Sequence, residues 1–167
     1  LAAGPDLTVE TAVGERAVHV AAETVRALVG EFVAGTVAPF DLAGYHLESV
    51  SVGNPHAVAF VDDCYSVPVA AVGPIVEGDP HFPQRTNVEF ATVVSPRRID
   101  LRVWERGVGE TLACGSGAAA AAVLAHGRGL PGPRVTVMLP GGPLEVEIEG
   151  DRVWIEGPAV TVFRGVL

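Results

Sequence analysis

Apolar and polar residues alternate most strictly at Ile99-Asp100-Leu101-Arg102-Val103-Trp104-Glu105, a period of two that predicts a strand with one buried face. Arg106-Gly107 closes it. Shorter runs predict further strands at 8–11, 18–20, 25–29, 47–52, 57–61, 86–94, 135–139, 144–148, 153–155 and 160–163. Residues 38–40 read as a connector, 53–56 as a tight turn and 78–85 as a loop, while Gly141-Gly142 signals a hairpin. Residues 67–76 are apolar but carry Pro68, Gly73 and Pro74, so a helix there is short or broken. Residues 116–127 break the pattern: Ala118 to Ala122 and Val123-Leu124-Ala125 are apolar nearly all round. Alanine is the best helix former, and a helix without a polar face must be buried. Many short strands around one apolar helix give an α+β domain, with a curved sheet supplying walls on all sides of the helix.

Composition narrows the function. The 167 residues are 49% hydrophobic, enough for one ordinary domain or two small ones with a sizeable core, and no apolar run is long enough for a membrane span. A formal net charge of −9 argues against nucleic acid as a partner. Two cysteines, Cys64 and Cys114, make no disulfide scaffold and suit a reducing cytoplasm. All 11 basic residues are arginine, so the chain offers no lysine for a pyridoxal phosphate Schiff base or a P-loop. The five histidines are widely separated and predict no metal.

The candidate chemistry sits at the start of the apolar helix, in Glu110-Thr111-Leu112-Ala113-Cys114-Gly115-Ser116-Gly117. Glycine and serine there leave backbone N–H groups open to a ligand, and a helix N-terminus attracts anions. The same field favours thiolate, so Cys114 is expected to have a lowered pKa. A buried unreactive cysteine capped by a Gly-Ser turn fits the stretch equally well. Cys64, in Asp62-Asp63-Cys64-Tyr65, reads as incidental and open to surface oxidation.

Four motifs occur in order: Gly53-Asn54-Pro55-His56, Arg85-Thr86-Asn87-Val88-Glu89-Phe90, Glu105-Arg106-Gly107, and the Cys114 stretch. With Leu139-Pro140-Gly141-Gly142 and Gly157-Pro158-Ala159-Val160, they resemble the second half of diaminopimelate epimerase. The resemblance implies two similar domains, each a curved sheet on a central helix, with the active site between them. It implies cofactor-independent interconversion of LL- and meso-diaminopimelate by two thiols that flank the α-carbon, one as base and one as acid. Cys114 matches one catalytic cysteine. Gly115 and Ser116 then hold the α-carboxylate by backbone N–H. Arg106 pairs with the distal carboxylate, Glu105 accepts from the distal ammonium, and Asn54 and Asn87 serve the zwitterion as donor and acceptor. His56 and Glu105 tune the proton acceptor.

The family's other cysteine motif has no match here. Because the sequence starts at Leu1 and its only methionine is Met138, it reads as a fragment. Residues 1–40 are then the end of an N-terminal domain, 41–158 the C-terminal domain, and 159–167 a returning strand. A missing N-terminal segment completes the active site, and the family implies a homodimer. The alternatives are a proline or hydroxyproline racemase, a non-catalytic anion-binding module and, less well supported, a cysteine hydrolase. A phenazine-pathway isomerase would lack Cys114.

Overall fold

In the computed structural model, which describes residues 5–11, 14–129, 132–163 and 165, the apolar helix runs over Gly115–Gly127 (α2), one residue earlier than the sequence predicts. Every side chain from Ala118 to Ala125 is buried. Small alanine side chains let strands approach from several directions, and α2 touches strands on both arms of the sheet. The strands are β1 (Asp6–Thr11), β2 (Gly14–Val20), β3 (Thr24–Glu31), β4 (Val33–Ala34), β5 (Phe40–Leu42), β6 (Tyr45–Ser51), β7 (Pro55–Phe60), β8 (Asn87–Ser95), β9 (Arg98–Glu105), β10 (Gly109–Thr111), β11 (Arg134–Leu139), β12 (Gly142–Glu149) and β13 (Arg152–Pro158). A 3₁₀ turn, Cys64–Ser66, and a helix, α1 (Val69–Glu77), lie between β7 and β8.

All the described strands join one 13-stranded mixed sheet, ordered β1-β2-β3-β13-β12-β11-β9-β8-β7-β6-β4, with β5 on β6 and β10 on β9. Most neighbours are antiparallel. The two parallel joins, β7 with β8 and β9 with β11, are each bridged by a helix, α1 and α2 respectively. Thus the α+β expectation holds, with two helical crossovers that the strand pattern alone did not reveal. Period two sorts the central strands between two cores. Val58, Ala91, Leu101 and Val103 face α2. Ala57, Ala59, Val88 and Phe90 face the other way, toward α1 and Cys64. Strands β7 and β8 are therefore covered on both faces.

Three local readings change, and the short helix allowed for at 67–76 is found. The turn at 53–56 is shorter, because Pro55 and His56 already pair with Ser51 and Val50, and His56 also with Asn87. Residue Phe40 opens a short strand where a connector was expected. Despite Pro74, α1 is an unbroken helix of nine residues, and Gly73 is there for space: a Cβ would lie 2.4 Å from Trp104 Cγ. Residues 159–163 form no strand. The β13–β3 ladder ends at Pro158 and Thr24, Ala159 N–H reaches Glu23 O, and Val160, Val162 and Phe163 beyond it are 82, 89 and 84% exposed. Alternation makes a strand only where a partner edge is present. The Gly141-Gly142 hairpin forms as predicted between β11 and β12.

The sealed position of α2 gives a direct test. Ala121→Asp places an unpaired charge where no side chain is accessible. The expected cost is about 4 kcal/mol or more, a fall in Tm on the order of 10 °C. Calorimetry showing an unchanged Tm would contradict the enclosed helix.

Candidate active site

The site lies where several elements begin or end. Cys114 is the N-cap of α2: its Sγ accepts from Gly117 N–H at 3.4 Å, and its carbonyl from Ala118 N–H at 3.0 Å. The N–H groups of Gly115 and Ser116 remain as helix-end donors. Both Gly115 and Gly117 leave room for neighbouring side chains. A Cβ on Gly115 would meet Ile155 Cδ1 at 2.8 Å, and one on Gly117 would meet Glu89 Oε1 at 2.9 Å and Cys114 Sγ at 3.4 Å. Another close approach holds the loop before the thiol: Gly141 N–H donates to Leu112 O at 2.7 Å, and a Cβ there would lie 2.9 Å from the same oxygen.

Of the residues predicted from sequence, Asn54, His56 and Ser116 connect to this cap, Asn87 and Arg106 pair with each other, and Glu105 bonds Thr111. Asn54 precedes β7; its Nδ2 reaches Ser116 Oγ at 3.5 Å, and its Oδ1 meets His56 Nε2 at 3.0 Å. Ser116 Oγ lies 3.5 Å from Cys114 Sγ. Asn87, the first residue of β8, donates to Pro55 O at 3.1 Å and accepts from the backbone N–H of Arg106 at 2.9 Å. Glu105 ends β9 on the α2 side and accepts from Thr111 Oγ1 at 2.5 Å. The Arg106 side chain is exposed and rests on Gln84 O at 3.0 Å. Arg106, Gly107, Val108, Leu112 and Ala113 leave this face open.

The Cys114 thiol differs from its expectation. Its pKa is raised, first by burial; Ser116 and the Gly117 N–H pull it down, while the charge of Glu105, and that of Glu89 whenever it is ionised, pushes it up. The helix end acts on the sulfur, but removal from water outweighs it. The reading of Cys64 also changes. It is fully buried against the α1 side of the sheet, in a different core from Cys114, with Thr92 Oγ1 accepting its N–H at 2.8 Å. Surface oxidation is therefore closed to it.

Two functional candidates escape the sequence pattern. Glu89 is wholly buried on the α2 face of β8, and its Oε1 lies 2.7 Å from His56 Nδ1. Glu77, near the end of α1, accepts from Trp104 Nε1 at 2.7 Å, Gly107 N–H at 2.9 Å and Arg85 at 3.3 Å. It thus fixes the turn that carries Arg106. Glu89 stands in the second of the four ordered motifs, and its signal is a carboxylate on a strand with two covered faces. The signal for Glu77 is its spacing of four from Gly73, which puts both on one helix face.

Fold comparison defines the class first. The chain superposes on a hydroxyproline epimerase from Agrobacterium vitis with TM-score 0.70 at 16% identity, over 95% of this chain and 58% of that one. A phenazine biosynthesis PhzC/PhzF protein from Clostridium difficile gives TM-score 0.69 at 13% identity, over 97% and 64%. The chain therefore has the fold of these epimerase and PhzF proteins. Sequence places it more closely. The diaminopimelate epimerase profile matches residues 48–162, and the chain belongs to that family. It is 51% identical over 130 residues to the diaminopimelate epimerase of Pelotomaculum thermopropionicum, covering 76% of this chain and 46% of that protein. With the Desulfitobacterium hafniense enzyme it shares 48% identity over 139 residues, 83% of this chain and 49% of the relative. The chain spans about half the length of the curated relatives it matches.

The Glu77 network predicts a pH effect. Its carboxyl is held below the ordinary value near 4.5, chiefly by the Trp104 bond. A carboxyl lowered in the folded state stabilises fully above its unfolded pKa, and that stabilisation is lost as pH falls through the folded value. Glu77→Gln should cost about 1–3 kcal/mol near neutral pH, with the gap to wild type closing as pH falls through the lowered carboxyl value. Urea unfolding at several pH values reads this; a gap that widens on acidification would show the sign to be wrong.

Proposed function

We propose that this chain carries half of the active site of a cofactor-independent, two-thiol diaminopimelate epimerase. The observation that carries the reading is Cys114 at the cap of a buried helix, with two helix-end N–H groups beside it, Asn54 joined to it through Ser116, and Glu105 near enough for its charge to act on the thiol. As thiolate, Cys114 takes the α-proton. The electron pair left on carbon spreads into the α-carboxylate, whose growing charge the Gly115 and Ser116 N–H groups stabilise. A thiol on the opposite face then gives its proton to that carbon, which inverts it; the reverse reaction exchanges the roles.

That second thiol is assigned to a first domain, of which residues 1–40 form the end and to which 159–167 return. Cys64 does not qualify, since it lies in the core on the other side of the sheet. Arg106 reads the distal carboxylate, with Glu105 beside it for the distal ammonium, while His56 and Glu105 tune the thiol. This reading assigns the protein to lysine and peptidoglycan precursor synthesis in the cytoplasm, as a homodimer. The racemase reading has fold likeness in its favour, but a proline-type substrate gives Glu105-Arg106 no second end to bind.

Two substitutions in a full-length enzyme carrying this chain test the proposal. Cys114→Ser should reduce epimerisation and α-proton exchange in deuterated water by about 10²–10⁴-fold while leaving substrate affinity nearly intact, because the N–H cradle remains. Wild-type exchange in that variant would make Cys114 a structural cysteine. Arg106→Lys should weaken diaminopimelate binding about tenfold or more, since an ammonium cannot form the two-pronged pair. Wild-type KM would place the distal carboxylate elsewhere.

A further inference from the structure

The thiol is the last member of a chain of side-chain contacts that starts deep in the sheet. Glu89 and His56 are both fully buried, with Oε1 and Nδ1 2.7 Å apart. His56 Nε2 lies 3.0 Å from Asn54 Oδ1, Asn54 Nδ2 lies 3.5 Å from Ser116 Oγ, and Ser116 Oγ lies 3.5 Å from Cys114 Sγ. Glu89 Oε2 is buried with no hydrogen-bond partner among the described residues.

These contacts assign the protons. An amide oxygen can only accept, so His56 Nε2 carries hydrogen. The pair is then either a protonated imidazole with a carboxylate or a neutral imidazole with a protonated acid. The orphan oxygen distinguishes them. A carboxylate would leave a charged Oε2 in an apolar interior without a donor, a large cost. A protonated acid donates through Oε1 and leaves at Oε2 only a carbonyl oxygen, a far smaller loss. The facing groups agree: His56 comes from β7, Glu105 from β9 and Cys114 from α2, and burial is the main cause that pushes the Glu89 carboxyl upward, with the charge of Glu105 adding to it against His56.

We propose that Glu89 is a protonated acid at neutral pH and heads a one-way hydrogen-bond chain, Glu89 to His56 to Asn54 to Ser116, that ends by donating the Ser116 hydroxyl to the Cys114 sulfur. The inference rests on Cys114 being the working thiol. In this arrangement each donor polarises the next, the strengthening expected of aligned hydrogen bonds in a low-dielectric interior. A neutral Glu89 also spares the thiolate a buried negative neighbour. Glu89 is a positioning residue: it acts on the sulfur only through His56, Asn54 and Ser116. The two longest links meet at Ser116, so the chain is most easily broken there.

Spectroscopy and thiol chemistry on a full-length enzyme carrying this chain test this without reference to turnover. The infrared difference between wild type and Glu89→Gln should contain the carbonyl band of a protonated carboxyl at neutral pH. Alkylation of Cys114 by iodoacetamide, followed against pH and located by peptide mapping, gives the thiol pKa. Glu89→Gln keeps a neutral donor to Nδ1 and should alkylate within about threefold of wild type. Glu89→Leu and Ser116→Ala should react about tenfold more slowly below the thiol pKa, because a weaker donor to the sulfur leaves less of it as thiolate. If Glu89→Leu does not fold, Ser116→Ala and the infrared band carry the test.

Absence of the acid band overturns the proposal, as does Glu89→Gln losing as much reactivity as Ser116→Ala. Wild-type reactivity in Ser116→Ala also overturns it. Should Cys114→Ser keep full epimerisation while the acid band is present, the functional reading fails and the protonation assignment stands. Should the band be missing while Cys114 is essential, the chain fails and the epimerase reading stands.

Discussion

The structure depends on burying a helix that has no polar face. Alanine from 118 to 122 gives α2 a narrow cylinder, and only a sheet that curves around it can remove all its sides from water. That requirement governs much else. It puts Val58, Ala91, Leu101 and Val103 on one face, and it leaves the helix N-terminus as the end at which polar groups gather. Cys114 is where it is because the helix must start somewhere, and the start is the one part of α2 that keeps unpaired donors.

The other face of the sheet supports the same site. Trp104 lies over Gly73 of α1, and its indole N–H meets Glu77 one turn further on. That carboxylate also holds Gly107 N–H, next to Arg106. A buried carboxylate with several donors is a stiff joint, because each donor removes one direction in which the turn can move. Trp104, Gly73 and Glu77, all on the α1 side of the sheet, therefore hold the turn that carries the exposed guanidinium.

Much of this is legible in the sequence where one cause dominates. The alternation of β9 and the uniform apolarity of α2 each have a single structural solution. Of the motif residues, Asn54, His56 and Ser116 are joined to Cys114 by side-chain contacts, whereas Asn87 and Arg106 are joined to each other. What escapes depends on contacts distant in sequence. Asn87-Val88-Glu89-Phe90 reads only as part of a strand; α1 covers one side and α2 the other, so its polar face is interior. A lowered Cys114 pKa follows from the helix end, a local feature, whereas burial by elements distant in sequence decides it. Cys64 follows two aspartates and looks like surface, yet Thr92 and the α1 core enclose it. At 160–163 a valid local pattern lacks a strand to pair with.

The contact of Gly141 with Leu112 couples two segments that sequence keeps apart. The β11–β12 hairpin turn presses its backbone against the loop that delivers the thiol, with no room for a side chain between them. Most surface turns accept inserted residues at little cost, since lengthening a loop adds only a small entropic penalty. Residues 140–141 are an exception: extra chain there would withdraw the N–H that holds Leu112 O and release the loop next to the sulfur. The length of this hairpin is thus constrained by chemistry at the helix cap, so a grafting or permutation site is better sought at the Gly150-Asp151 turn, on the far side of the same strands.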